Sequence, residues 1–77
     1  MWIESHKGDW VNLDKSKLLF ATAGGVSQVD FTGTPAILGR FASRKEAKFA
    51  LSNIMRAMNT GEYEALEYDE WSDTEEM

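Results

Sequence analysis

The stretch SRKEAKFALSNIMRAMNTG, residues 43–61, has one good solution, and it limits what the rest of the chain can be. Ser43 and Glu46 form a capping box, in which the Ser43 hydroxyl accepts from the Glu46 backbone N–H and the Glu46 carboxylate reaches back towards the N–H of Ser43. Ala47, Ala50, Leu51, Ile54, Ala57 and Met58 then recur at 3–4 spacing and make one apolar face. Gly61 supplies a left-handed stop. A helix of this length is marginal alone in water. Its apolar face therefore needs a surface to cover, and the residues before it have to build that surface.

Those residues read as short strands separated by turn chemistry. WIES and WVNL flank a Lys-Gly-Asp turn, LLFATA and VSQVDFT flank Gly24-Gly25, and AILGRFA follows the punctuation at Gly33 and Pro35. The expected fold is α+β: a small antiparallel sheet of about five short strands, packed by one C-terminal helix over residues 1–61, then an acidic tail, 62–77. Burying Leu51, Ile54 and Met58 on that sheet contributes roughly 1.5–3 kcal/mol per side chain. This is a large share of the roughly 5–15 kcal/mol by which domains are stable.

Size sharpens the point, because 77 residues bury only roughly 60% of their unfolded surface. With no cysteine there is no disulfide or thiolate zinc site to help, so a homo-oligomer is the favoured support. No apolar run is long enough for a signal peptide or a bilayer span, and the expected location is the cytoplasm.

The segment from Glu62 to Met77 carries eight of the thirteen acidic residues and none of the eight basic ones, leaving a mildly basic body. Tyr63, Leu66, Tyr68 and Trp71 sit among Glu62, Glu64, Glu67, Asp69, Glu70 and Asp73. Solvating tails are poor in aromatics, whereas aromatics concentrate where binding energy does. The tail thus reads either as a binding strip that lays charge along a basic groove or as a solubility element partly packed on the domain. Phe49 is the other oddity, since it falls with Lys45, Ser52 and Arg56 on the polar half of the helix. It touches a loop or the tail in one reading, and a partner or second subunit in the other.

Catalytic groups are scarce. His6 is the lone histidine, and Ser5, His6 and Asp9 cannot make a triad because strand neighbours face opposite ways. The glycine pairs lack the helix and lysine of a phosphate loop. Asp69, Asp73, Glu75 and Glu76 do not match a calcium loop, so no metal or other cofactor is expected. Arg44, Lys45, Lys48 and Arg56 line the outer helix face, but the adjacent acids oppose nucleic-acid binding.

MWIESHKGDWVNLD, followed later by LGRFASRKEAKFALSNI, resembles a group of short phage and prophage proteins of Gram-positive bacteria. These open Met-Trp-Ile-Arg-Ser and later carry Leu-Gly-x-Tyr before an amphipathic helix. The matching residues are Trp2, Ile3, Ser5, Leu38, Gly39, Phe41 in place of tyrosine, Ser43 and Ala47, and the match covers roughly residues 1–58. Glu4 stands where the group often has arginine, and the tail is not a regular feature of it. The resemblance implies a small α+β fold and a mobile-element origin, with no active site to transfer.

The expected function is a non-enzymatic accessory protein that binds and inhibits a host defence or nucleic-acid-handling protein. Tyr63, Glu64, Glu67, Tyr68, Asp69, Glu70, Trp71 and Asp73 are its expected contacts, with Phe49 as a second point. The alternative is a self-assembling structural or ligand-sequestering oligomer, with Trp2, Trp10 and Phe49 at its interfaces and the tail as a solubility element.

Overall fold

The computed structural model describes residues 1–13, 18–22, 24–29 and 35–73. Its elements are β1 (Trp2–Glu4), β2 (Trp10–Asn12), β3 (Leu18–Thr22), β4 (Gly25–Val29), β5 (Pro35–Arg40), α1 (Arg44–Thr60), β6 (Ala65–Leu66) and α2 (Tyr68–Ser72). This is an α+β fold. The strands divide between two three-stranded sheets, β2-β1-β6 and β3-β4-β5, where the sequence suggested one. The free edge of β1 is taken by β6, which runs parallel to it, pairing Trp2 with Ala65 and Ile3 with Leu66. Glu75, Glu76 and the turn expected at Gly33 lie outside the described residues.

Turn chemistry accounts for the first two hairpins. Between β1 and β2, the Gly8 N–H donates to the Ser5 carbonyl at 2.9 Å and Gly8 takes φ 87°, the left-handed residue that closes a three-residue loop. Ser5 is buried, and its hydroxyl accepts from the Asp9 N–H at 3.2 Å, which helps to close the turn. Between β3 and β4, Thr22 pairs with Gly25. Gly25 therefore belongs to the strand, one step away from the turn centre that the glycine pair suggested. An added Cβ there would collide with the backbone carbonyl of Gly39, so β4 and β5 approach too closely for any side chain.

Helix α1 starts and stops where its sequence requires. Ser43 Oγ accepts from the Glu46 N–H at 3.2 Å, while the Glu46 carboxylate accepts from Ala42, one residue earlier than a standard box. Gly61 takes φ 66° and donates to the Ala57 carbonyl. Ala47, Ala50, Ile54 and Ala57 are buried, and the three alanines let the helix lie close against the strands.

One core joins all the layers. The β2-β1-β6 sheet contributes Ile3 and Leu66, the other sheet contributes Val26 and Leu38, and α1 contributes Ile54. The sheets are also tied by backbone, through the His6 N–H donating to the Leu38 carbonyl at 2.8 Å. Among the described residues, no helix is long and apolar enough to cross a membrane.

Candidate partner-binding surface

The largest fully buried side chain is Trp71, a residue of the acidic segment. Its indole Nε1–H donates to the Glu4 carbonyl at 2.9 Å. Phe41 and Tyr68 meet the ring edge-on, with centroids 6.1 Å and 5.1 Å away. Gly39 leaves the space it fills, since a Cβ there would lie 2.6 Å from Trp71 Cη2. The residue expected to grip a partner is instead a plug that fastens the segment to the body, and Tyr68 is half-buried beside it.

Other groups hold the segment along its length. The Glu64 carbonyl accepts from the Trp2 N–H at 2.8 Å, and the Glu4 carboxylate accepts from the Tyr68 N–H at 3.0 Å. Glu4 thus places negative charge at the start of α2 while its own carbonyl holds the Trp71 indole. At the other end, the Asn53 side-chain amide donates to the carbonyls of Trp71 and Asp73, at 3.1 and 3.2 Å. A packed domain does not end at residue 61: residues 62–73 form a strap, held by β6, Trp71 and Asn53. Glu4→Gln keeps the carbonyl and removes the charge, so it should lower stability by about 1 kcal/mol in urea unfolding. An unchanged midpoint would show that the carboxylate does not hold the strap.

What the strap turns outward is charge. Glu62, Glu64, Glu67, Asp69, Glu70 and Asp73 are all exposed, and no lysine or arginine lies among them. Tyr63 is the one strap aromatic largely open to solvent. It borders a cleft of about 540 Å³ between the strap and the second half of α1, with Arg56 and Asn53 on the helix side and Glu62 and Glu70 opposite. Phe49 is exposed one turn before Asn53, on the helix flank that meets the end of the strap.

Tyr63, Glu64, Glu67, Asp69, Glu70 and Asp73 are thus each exposed on a strap that is held to the body, Phe49 is exposed one turn before Asn53, and Trp71 is buried. The Glu4 contacts were missed. They join residues more than sixty positions apart, and the departure of Glu4 from the pattern it resembles was the only signal.

His6 Nδ1 lies 3.2 Å from the Leu38 carbonyl, and the Ser5 hydroxyl accepts from the Lys7 and Asp9 N–H groups. Among the described residues, no cluster of three or more acidic or histidine side chains is arranged to hold a metal ion. No family model, curated protein or solved structure matches the chain.

Proposed function

We propose that this is a non-enzymatic accessory protein of phage or prophage origin. It acts in the host cytoplasm by binding a host defence or nucleic-acid-handling protein and inhibiting it. The observation that carries the reading is the strap: a run of exposed carboxylates, without an interspersed cation, held on a buried tryptophan. A fixed array of negative charge loses less conformational freedom on binding than a free tail does. Such an array suits a basic groove shaped for phosphate, and its occupation excludes nucleic acid. The origin rests on the resemblance of the N-terminal strand and the approach to α1.

Removing the whole segment is a poor test, because it also removes Trp71 and β6 from the fold. Changing Glu62, Glu64, Glu67, Asp69 and Glu70 to their amides leaves the buried anchors in place. In affinity capture from a host lysate, the wild-type chain should retain a partner that the amide variant loses by tenfold or more. Equal capture by both would overturn the reading.

A second reading, a self-assembling structural or ligand-sequestering oligomer, is favoured by the exposed Trp2, Trp10, Ile37, Phe49 and Met55. Light scattering separates the two. A stable oligomer whose size is indifferent to the amide substitutions supports assembly.

A further inference from the structure

Trp2 and Trp10 remain 49% and 46% exposed, although Trp71 shows that this fold can bury an indole completely. Their register puts them together. Trp2 pairs with Asn12, Ile3 with Val11 and Glu4 with Trp10. Ile3 is fully buried, so its row faces the core. Trp2, Glu4, Trp10 and Asn12 consequently share the outer face, with the two tryptophans at diagonal positions roughly 7 Å apart.

The strap completes this face. Ala65, paired with Trp2, is exposed, while Leu66, paired with Ile3, is buried. Glu67 continues the alternation with extended backbone, φ −70° and ψ 152°, and so joins the outer row beside Glu4. Two indoles and two carboxylates thus lie on one small sheet face. Asp9 and Lys7 are exposed in the turn that joins β1 to β2.

We propose that this outer face of β2-β1-β6 docks an extended, arginine-bearing segment of the partner protein, with guanidinium groups stacked on Trp2 and Trp10 and paired with Glu4 and Glu67. The inference rests on the reading of the strap as a binding surface and names the chemistry of its partner. Cations are attracted to indole faces, and the planar guanidinium both stacks and pairs with carboxylates. Spacing adds a second constraint. Side chains on an extended segment face the same way at every second residue, the same repeat that separates Trp2 from Glu4 on β1. A nucleic-acid strand could stack on the indoles, but its phosphates would meet Glu4, Glu67 and the strap.

The test uses the full chain and two eight-residue peptides, one alternating arginine with serine and one alternating lysine with serine, followed by calorimetry. The arginine peptide should bind more tightly than the lysine peptide and weaken as salt rises. Trp2→Ala and Trp10→Ala should each weaken it about three- to thirtyfold, the range expected from loss of a cation–π contact. Slow exchange of the Trp71 indole proton checks that each variant remains folded. Binding of the arginine peptide that is indifferent to both substitutions would overturn the proposal, as would absence of binding. Tighter binding of single-stranded DNA, or self-association abolished by the same substitutions, would overturn it in favour of another occupant. If the tryptophan variants still capture the host partner and the strap amides do not, the strap reading survives and this one fails.

Discussion

Replacing Trp71 with alanine is expected to lower folding stability by about 3–5 kcal/mol, enough to leave a chain of this size largely unfolded. The side chain is fully buried, and its loss removes two aromatic contacts as well as the hydrogen bond to the Glu4 carbonyl. That carbonyl would lose its indole donor, which adds to the penalty of the empty volume. Relaxation into the space is limited, because the opposite wall is the backbone at Gly39. Urea unfolding of both proteins measures the effect directly. A variant with the wild-type midpoint would mean that the strap is not fastened by this ring. Ending the chain at Gly61 should be at least as damaging, since β6 and α2 are lost along with the plug.

The second large effect is expected at Gly25. An alanine there directs its Cβ into the carbonyl of Gly39 and close to the Arg40 Cα, and neither atom can rotate away. The cost should reach about 3 kcal/mol or more, the upper part of the overpacking range, because β4 and β5 would have to separate. Gly24 is the internal control. A Cβ added there meets nothing within 4 Å, so Gly24→Ala should change stability by less than about 0.5 kcal/mol. The two alanine variants, one residue apart, should therefore differ widely in thermal midpoint. Equal midpoints would contradict the close strand approach.

The helix was legible because local chemistry decides it: Ser43 at the cap, Gly61 at the stop and small residues on the buried face all act within a few positions. The first two hairpins were legible for the same reason, although the turn at Gly24-Gly25 moved by one residue. The division into two sheets was not. β2 pairs with β1 and not with β3, and the other edge of β1 takes β6, a pairing of residues more than sixty positions apart that no local pattern marks. Trp71 was misread for a related cause. A ring among carboxylates looks like a contact surface in one dimension, yet on a short helix its neighbours face water while it faces the core. The fold holds residues 62–73 of the acidic segment against the body through β6, Trp71 and Asn53.

Amide and indole hydrogen exchange on the wild-type protein tests the central claim most directly. The Trp71 Nε1–H, buried and bonded to the Glu4 carbonyl, should exchange orders of magnitude more slowly than the indole protons of the half-exposed Trp2 and Trp10. The Tyr68 amide, held by the Glu4 carboxylate, should also be protected. Three indoles exchanging at one rapid rate, with an unprotected Tyr68 amide, would show a strap that is not held, and the fixed acidic surface would have to be abandoned.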